Sequence, residues 1–552
     1  MPDGARALRG RHDSATHIPW TNAPRPHSQL MAARSQFIER GALRALTFAD
    51  AVCNRLYGWR FNPLYQSGTI VTALLLLLLA TGLWLTLLYR VATPYASVAH
   101  ITADPWIGNW VRGVHRYGSD AAIIAIIAHA VRMFAQGRSW GPRTLAWVSG
   151  IVLLLLTLIS GWTGFVMVWD TFGEALAREG ARMLDTLPVL SEPISRSFTG
   201  ERPVQSVFFF LNLFAHIGIP LSMLAVLWLH TSRVARPAVL PPKPVLWSVF
   251  GALIVLALVR PATMADAANP LRIAAAVPAD WFFAFWLPIS RSFSGSSAFV
   301  GAVLTFAGLL AVPLVTRRRG SAAPLPSVVD ENICTGCRQC FVDCPFDAIT
   351  MLRRDDGRAD EVGHVNPDLC VSCGICAGSC APMGVGPAGR TGRDQLTHVR
   401  QFLARPGRRD DEVVAICCER GASRFGPLLE RDGAAVYPVD CAGSLHTSVI
   451  ELMVRSGCAG VLVLACPPRD CWNREGPRWL HERVYHDREA ELQARVDRRR
   501  VHVAFANASE PHAARAALRN FRAQLSTVHK AEAEQSVAIA MECDPVPAGE
   551  PE

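Results

Sequence analysis

The sequence predicts an all-α membrane bundle of about six spans, followed by a small cysteine-rich unit and a small α/β unit. Apolar runs fill the first 316 of the 552 residues, whereas the rest has the composition of a soluble protein. All but one of the 16 cysteines follow residue 330. From about residue 411, short apolar runs alternate with helical stretches, as in an α/β unit. The predicted division is a polar, disordered segment at 1–44, a membrane region at 45–316, a linker at 317–327, a cysteine-rich unit at 328–390, an α/β unit at 411–525 and a tail at 526–552.

Six apolar segments are the candidate membrane spans. Their approximate bounds are Gly68–Tyr89, Gly118–Phe134, Leu145–Trp169, Phe208–Thr231, Val245–Val259 and Ala298–Thr316, and the fifth is short. Positive residues gather in the second and fourth connections and directly after the sixth segment. They are Arg132, Arg138, Arg143, Arg233, Arg236, Lys243 and Arg317 to Arg319. The positive-inside rule then predicts a multi-pass protein of the inner (plasma) membrane whose C-terminal half is cytoplasmic.

The charge balance does not indicate a nucleic-acid partner. The formal net charge is +9, from 55 Lys and Arg against 46 Asp and Glu. No basic stripe interleaved with aromatic residues is present, so we attribute much of the excess to membrane topology. The polar N-terminal segment also lacks the apolar core that a secretory signal requires.

Four histidines lie in, or just before, two of the apolar segments, and they form two pairs. His115 and His129 are 14 residues apart, and so are His216 and His230. Fourteen residues make about 3.9 turns of helix, so both members of a pair face nearly the same way, roughly 21 Å apart along the axis. An ionisable residue within a span indicates a functional site, although a single histidine is more often a packed or hydrogen-bonded residue. Two pairs with equal spacing predict two bis-histidine hemes, one near each membrane face.

Glycines repeat the same spacing in the two neighbouring segments. Gly68 and Gly82 are 14 residues apart, as are Gly150 and Gly164. A residue without a side chain lets a porphyrin edge approach the backbone. The alternative is close packing of two helices, in which small residues are common. Because the heme spacing recurs in both segments, we favour heme binding.

Several motifs here resemble the cytochrome b of bc-type quinol oxidoreductases, over roughly residues 45–316. The motifs are Trp110-Val111-Arg112 before His115, Gly164-Phe165-Val166 before Trp169, His216-Ile217-Gly218-Ile219-Pro220, Ala268-Asn269-Pro270-Leu271 and Asp280-Trp281-Phe282-Phe283. The resemblance implies that His115 and His216 hold an outer, low-potential heme b. It implies that His129 and His230 hold an inner, high-potential heme b.

The resemblance also implies further roles. Arg112 and the four glycines would contact the hemes, a membrane quinone would be the substrate, and the chain would form a homodimer. The outer quinol motif Pro-Glu-Trp-Tyr of that family appears here as Ala279-Asp280-Trp281-Phe282, so Asp280 is the catalytic candidate. A solvated loop acid or helix cap is the alternative for Asp280, and Asp170 is an equally open outer candidate. A third, covalent heme is not expected, because Gln66 lies at or near the position of the attaching cysteine.

The cysteine-rich unit has the pattern of a bacterial two-cluster ferredoxin. Cys334-x2-Cys337-x2-Cys340-x3-Cys344-Pro345 is followed by Cys370-x2-Cys373-x2-Cys376-x3-Cys380. In this pattern the fourth cysteine of each motif binds the other cluster. The predicted ligands are Cys334, Cys337, Cys340 and Cys380 for one 4Fe–4S cluster, and Cys370, Cys373, Cys376 and Cys344 for the other. Paired CxxC motifs also occur at zinc sites, but two complete four-cysteine runs disfavour zinc.

The α/β unit has cysteines just after its predicted strands. The strands are Val413–Ile416, Ala435–Tyr437 and Val461–Leu464, and the cysteines are Cys417, Cys418, Cys441, Cys466 and Cys471. Strand C-termini are where such folds place their sites. Asp440-Cys441-Ala442-Gly443 and Ala465-Cys466-Pro467-Pro468-Arg469-Asp470-Cys471 resemble the delta subunit of methyl-viologen-reducing hydrogenase. That family passes electrons between a dehydrogenase and a flavin protein, and the resemblance implies a 2Fe–2S cluster held by Cys441, Cys466, Cys471 and either Cys417 or Cys418. Buried structural cysteines are the alternative.

Together these units predict a membrane electron-transfer subunit. Electrons would pass between a cytoplasmic partner, the 2Fe–2S centre, the 4Fe–4S centres, the inner heme and the outer heme, with the C-terminal unit at the far end. No dinucleotide-binding fingerprint, flavin motif or nickel motif is present, so the primary donor must be another subunit. The resemblance to the hydrogenase delta subunit implies that this partner is a cytoplasmic flavin-containing subunit of the hydrogenase or heterodisulfide-reductase type. One hypothesis is a subunit of a quinone oxidoreductase. The other is a non-catalytic anchor and relay without a quinone site of its own.

Overall fold

The computed structural model describes residues 33–542, except 188–192, 199–203, 233–234, 270, 272–279, 317–324, 355, 359–360 and 410. The side chains of residues 33–37 and 531–542 are also left out of the description. Predictions for the first 32 residues, Arg233, Pro270, Ala279, Arg317 to Arg319, most of the linker and residues 543–552 therefore lie outside the described residues.

The N-terminal half is helical, which confirms the predicted fold class. Its helices are α1 (Ala33–Phe61), α2 (Ser67–Thr86), α3 (Pro94–Ala103), α4 (Gly108–Ala135), α5 (Thr144–Val168), α6 (Thr171–Leu184), α7 (Ser206–Thr231), α8 (Lys243–Val259), α9 (Leu287–Arg291) and α10 (Gly295–Thr316). Within the described residues, five stretches are long and apolar enough to cross a membrane: α2, α4, α5 with the short turn before it, α7 and α10. The predicted fifth span, α8, is apolar but has only 17 residues.

Helix α1 differs from the prediction of disorder, which is wrong for residues 33–44. The helix continues to Phe61 and presents Asp50 and Asn54, both buried, to the neighbouring structure. The Asn54 side chain donates a hydrogen bond of 2.8 Å to the Tyr65 hydroxyl. Polar residues of α1 therefore make specific contacts with the neighbouring membrane region, which composition alone did not indicate.

The glycine-bearing helices pack against the histidine-bearing helices. Helix α2 lies along α4, and α5 lies along α7. Helix α4 begins at Gly108, ten residues before the predicted start at Gly118, so His115 lies inside the helix. Each histidine therefore faces the helix whose glycines share its spacing.

The cysteine-rich unit is built from two small antiparallel ladders. Strands β1 (Ser327–Val329) and β4 (Val385–Pro387) form one, and β2 (Ile349–Arg353) and β3 (Glu361–Val365) form the other. Short helices α11 (Gln339–Asp343) and α12 (Ile375–Ser379) each precede the last cysteine of a motif. This arrangement brings cysteines of both motifs into one common core.

The C-terminal unit has a four-stranded parallel sheet in the order β6-β5-β7-β8. The strands are β5 (Val413–Cys418), β6 (Ala435–Val439), β7 (Gly460–Ala465) and β8 (Val501–Phe505), the last of which was not predicted. Strands β5 and β7 are buried along their whole length, as expected for a sheet covered on both faces. The helices are α13 (Gly392–Leu403), α14 (Gly426–Arg431), α15 (Thr447–Arg455), α16 (Gly476–Tyr485) and α17 (Pro511–Glu542). Much of the predicted tail is therefore the end of α17.

Candidate heme and iron–sulfur sites

The structure brings the four histidines together in two couples across the bundle. The rings of His115 and His216 lie 6.3 Å apart between their centroids. His129 and His230 lie 14 residues further along the same two helices, nearer the end of the bundle that carries the soluble half. These are the couples that the spacing predicts.

Each histidine has a hydroxyl group beside its Nδ1 atom. The Nδ1–Oγ distances are 3.3 Å for His129 and Ser67, 2.9 Å for His115 and Thr81, 3.0 Å for His230 and Ser149, and 3.0 Å for His216 and Thr163. The His216 Nδ1 also lies 2.9 Å from the Ser160 carbonyl oxygen, which can only accept, so this nitrogen is the donor. A histidine ligand usually donates its second ring N–H in this way, which leaves the other nitrogen for the metal. The residues present therefore fit two bis-histidine hemes.

A glycine lies opposite each imidazole ring. A Cβ atom added at Gly68 would lie 2.9 Å from His129 Cε1, and one added at Gly164 would lie 2.9 Å from His216 Cε1. The corresponding distances are 3.1 Å for Gly82 and His115 and 3.2 Å for Gly150 and His230. The glycines thus make room for the imidazole rings themselves.

The residue before each glycine carries the hydroxyl that contacts the histidine. The dipeptides are Ser67-Gly68, Thr81-Gly82, Ser149-Gly150 and Thr163-Gly164. The hydroxyls were not predicted, although Ser/Thr-Gly dipeptides in two pairs, each with the 14-residue spacing, were a readable signal.

The other predicted residues at the outer end make structural contacts. Arg112 donates to the Ala262 carbonyl oxygen and so anchors the segment after α8. One carboxylate oxygen of Asp280 accepts hydrogen bonds from the backbone N–H groups of Phe282, Phe283 and Ala284, and the other pairs with Arg116 at 2.6 Å. Asp170 caps α6 by accepting from the Gly173 N–H at 2.9 Å. These contacts give both acids structural roles: Asp170 caps a helix, and Asp280 holds the bend that follows it in the chain.

Two cavities in the described part of the ferredoxin-like unit are each lined by four cysteines. The cysteines of one cavity are Cys334, Cys337, Cys340 and Cys380. Those of the other are Cys344, Cys370, Cys373 and Cys376. These are the two sets that the crossed pattern predicts. Backbone N–H groups of Ala348 and Gly384 donate to the Cys344 and Cys380 sulfurs at 3.3 Å, which suits thiolate ligands.

Four cysteines also meet at the carboxyl edge of the parallel sheet. The Cys466 and Cys418 sulfurs are 3.5 Å apart, and the Cys471 thiol hydrogen-bonds to Cys441. Cys417 lies in a separate apolar cluster on the opposite face of the sheet, because adjacent residues of a strand point to opposite sides. The structure therefore brings Cys418, and not Cys417, to the other three. We call these four residues the C-terminal quartet.

The hydrogen bonds of the quartet affect its thiols differently. Donation by Cys471, then by the Asn473 side chain and the Gly443 and Ser444 backbone, lowers the pKa of Cys441 despite its burial. Cys471 and Cys466 are the donors of their pairs, and this donation together with burial raises the pKa of both thiols. Four converging cysteine sulfurs are the donor set of an iron–sulfur cluster, so the residues present fit one. Across the described residues, no three His, Cys, Asp or Glu side chains are grouped closely enough to hold a single metal ion.

The C-terminal quartet does not lie at the far end of the chain of sites. The loop from Cys466 to Cys471 rests on the membrane helices, where Asp470 binds Arg132 at the end of α4. The prediction that the C-terminal unit is the electron-transfer site most distant from the histidine couples is therefore wrong. Arg132, Arg138 and Arg143, which we interpreted only as topology signals, are the residues that hold this loop.

Comparisons with known proteins match the same three parts. Family models match residues 54–236 (cytochrome b/b6/petB), 333–384 (4Fe-4S dicluster domain) and 413–528 (methyl-viologen-reducing hydrogenase, delta subunit). A solved structure titled "Hyperthermophilic respiratory Complex III" is 19% identical, covers 46% of this chain and 78% of its own, and has a TM-score of 0.37. The three regions together define a multi-pass membrane protein that transfers electrons, with a heme-binding cytochrome b region and a 4Fe–4S domain.

Proposed function

We propose that the chain is the membrane subunit of a quinone oxidoreductase complex and passes electrons between a cytoplasmic redox partner and a membrane quinone. The observation that carries this proposal is the fourfold repeat at the histidines, each with a hydroxyl at Nδ1 and a glycine opposite its ring. Packing alone does not require the same three residues at four places. The cysteine groups on one side of the same bundle add a route to a soluble partner.

The residues of the chain have distinct roles in this proposal. His115 with His216 would hold an outer heme b, and His129 with His230 an inner one. The two ferredoxin sets would hold two 4Fe–4S clusters, and the C-terminal quartet a 2Fe–2S cluster. Hemes and iron–sulfur clusters each supply transfer of single electrons. A quinone takes up two electrons and two protons, so the quinone site also needs proton donors from the protein.

The soluble half lies at the end of the bundle that carries the loop arginines. Arg132, Arg138 and Arg143 bind the C-terminal unit, and Arg236 binds Glu475 and the Val342 carbonyl oxygen of the ferredoxin-like unit. With positive loops facing the cytoplasm, the clusters are cytoplasmic. A reporter fused after Glu552 should behave as cytoplasmic, and protease cleavage of the linker from outside spheroplasts would contradict this.

The partner that we propose is a cytoplasmic flavin-containing subunit of the hydrogenase or heterodisulfide-reductase type. The match of residues 413–528 to a hydrogenase delta subunit supports it. The membrane region supports a homodimer by analogy with bc-type complexes. Co-purification of the tagged chain with its native partners, followed by flavin analysis, tests both proposals.

The function is tested on purified protein with its cofactors. Pyridine hemochrome should show about two non-covalent hemes per chain, as two histidine couples imply. Redox titration should shift the midpoint of one heme when a short-chain quinone analogue is added. A single heme, a covalent heme or no response to the quinone would contradict the proposal.

A relay without its own quinone site is a second candidate, favoured by the contacts of Asp280. Both of its carboxylate oxygens are engaged, by three backbone N–H groups and by Arg116. Oxidation of a reduced quinone analogue by the isolated subunit separates the two functions. Asp280→Asn keeps the acceptor for the N–H groups, and it should abolish quinone turnover only where this acid takes part in the reaction.

A further inference from the structure

The edge of the sheet that carries the C-terminal quartet is covered by the membrane region. The Asp470 carboxylate accepts hydrogen bonds from Arg132 and from Gln136, and the Asp470 carbonyl oxygen accepts one from Arg138. The Arg132 and Asp470 side chains are only 4% and 11% exposed. Asp470 directly precedes Cys471, and Arg132 lies three residues after His129 on the same helix. A buried contact therefore joins the quartet to the inner histidine couple.

Further contacts on both sides of Asp470 hold the two units together. Arg143 donates to the Trp472 carbonyl oxygen, and the guanidinium groups of Arg138 and Arg143 lie 5.1 and 5.0 Å from the Trp472 ring centroid. At the end of β8, the Phe505 ring lies 5.2 Å from that of Trp59. The covered edge thus extends across the sheet.

The opposite side of the quartet is covered by the ferredoxin-like unit. Arg483, which is fully buried, donates to the Ser379 hydroxyl at 3.0 Å and to the Gly443 carbonyl oxygen at 2.7 Å. A Cβ atom added at Gly374, next to Cys373, would lie 3.0 Å from Ser444 Cβ. The cavity with Cys373 is thus the one beside the quartet, whereas Cys337 of the other cavity is exposed.

We infer that the C-terminal quartet is the internal link between the ferredoxin-like unit and the inner histidine couple, and that Asp470 is the residue that positions it. This inference rests on the proposed function and adds the order in which electrons pass between the sites. A soluble partner meets the exposed Cys337 side of the ferredoxin-like unit, because both sides of the quartet are covered by the chain itself. With the clusters and hemes bound, each transfer would oxidise the partner by one electron and reduce the inner heme by one, and no bond would be made or broken.

A direct crossing from the ferredoxin-like unit is the rival path. The Ala235 N–H, five residues after His230, donates to the Pro345 carbonyl oxygen at 3.2 Å, next to Cys344. Arg236 beside it is exposed, and its pairing with Glu475 is at the rim of the joint. Arg236 also donates to the Val342 and Cys344 carbonyl oxygens. The two contacts differ in burial: the Arg132 and Asp470 side chains are largely buried, whereas Arg236 is exposed, so the structure favours the quartet over this crossing.

The test uses the full chain with its cofactors and a reduced soluble bacterial ferredoxin as the donor, freed of excess dithionite. In Cys466→Ser/Cys471→Ser, the 2Fe–2S signal should disappear and heme reduction by ferredoxin should slow at least tenfold. The 4Fe–4S signals and heme reduction by dithionite should persist. Asp470→Asn retains all four cysteines, and it should slow the same step and raise the midpoint of the inner heme alone. Asp487→Asn, whose side chain is 93% exposed, is the matched control and should change neither.

Heme reduction at the normal rate in the double cysteine variant would overturn the inference and favour the Ala235 crossing. An unchanged inner-heme midpoint and reduction rate in Asp470→Asn would overturn the role of Asp470. Wild-type hemes that ferredoxin does not reduce would overturn the whole order. None of these results changes the heme count or the response to quinone, so the proposed function is judged separately.

Discussion

The inner and outer ends of the membrane bundle hold their histidines in the same way but are enclosed differently. At both ends a hydroxyl contacts Nδ1 and a glycine faces the ring. The inner end is covered by the soluble half through Arg132 and Asp470. The outer end is closed by the membrane region itself, where Asp280 pairs with Arg116 and the Phe283 ring packs so closely on Gly161 that a Cβ there would overlap it at 2.1 Å.

This difference shows which features belong to heme binding and which belong to connection. The repeated hydroxyl and glycine are common to both ends, so they serve the histidines. The buried acid–arginine contacts to the soluble half occur at the inner end, so they serve docking. Changes to the first group should affect each heme separately, whereas changes to the second should affect the connection.

The largest effect is expected from a methyl group beside a histidine ring. In Gly68→Ala, the new Cβ would lie 2.9 Å from His129 Cε1 and displace the ring. The inner heme should be lost or weakly held, at a cost of about 1–3 kcal/mol in stability, while the outer heme stays. Pyridine hemochrome and low-temperature spectra measure this. Gly218→Ala on α7, with nothing within 4 Å, is the control and should retain both hemes. Retention of the full inner-heme signal in Gly68→Ala would show that the ring is not confined there.

The next effect concerns the buried contact that docks the soluble half. Arg132→Gln leaves Asp50 and Asp470 buried without their cation, which should cost about 3–5 kcal/mol. The C-terminal unit should then become sensitive to limited proteolysis while both hemes remain bound. Arg455→Gln removes an exposed arginine whose acid, Glu451, keeps Arg495 as a second partner, so this variant should behave like the wild type. An unchanged proteolysis pattern in Arg132→Gln would mean that docking depends on other contacts.

A pH dependence should accompany the inner contact. Burial raises the pKa of Asp50 from 3.8 to about 6, against the opposing effect of Arg132 and together with that of Asp470. The folded protein therefore keeps a proton that the unfolded chain has lost. The stabilisation by this proton is present below about pH 4 and is lost as the pH rises through 6, by up to about 3 kcal/mol. Asp50→Asn should flatten the melting temperature between pH 4 and 7 relative to the wild type, and an equal slope in both proteins would contradict this assignment.

A smaller effect is expected at the hydroxyl groups, and it should be confined to one heme. Thr81→Val removes the acceptor 2.9 Å from His115 Nδ1. Loss of this hydrogen bond makes the histidine less electron-donating, so the midpoint potential of the outer heme should rise. A hydrogen bond is worth about 1 kcal/mol, which corresponds to a shift of roughly 40 mV for a one-electron couple. Thr86→Val, whose hydroxyl bonds to the Gly82 carbonyl oxygen, is the control on the same helix. Equal shifts in both variants would remove the special role of Thr81.

Much of this arrangement could be predicted because its chemistry is local in sequence. The cysteine spacing predicted the two sets that line the two cavities, and the apolar runs predicted three of the four strands. The choice of Cys418 over Cys417 was also within reach, because a strand turns neighbouring residues to opposite faces. The docking of the soluble half could not be predicted, because Arg132 and Asp470 are 338 residues apart in the sequence. An arginine that follows a membrane span looks the same in the sequence whether it faces water or a carboxylate.

The central claim is that the inner histidine couple is the one connected to the soluble half. Stopped-flow reduction by soluble ferredoxin, compared in His129→Ala and His115→Ala, tests it most directly. His115→Ala should retain an inner heme that is reduced at the wild-type rate. His129→Ala should retain an outer heme that dithionite reduces but ferredoxin reduces at least tenfold more slowly. Reduction of the remaining heme at the wild-type rate in His129→Ala would contradict the claim.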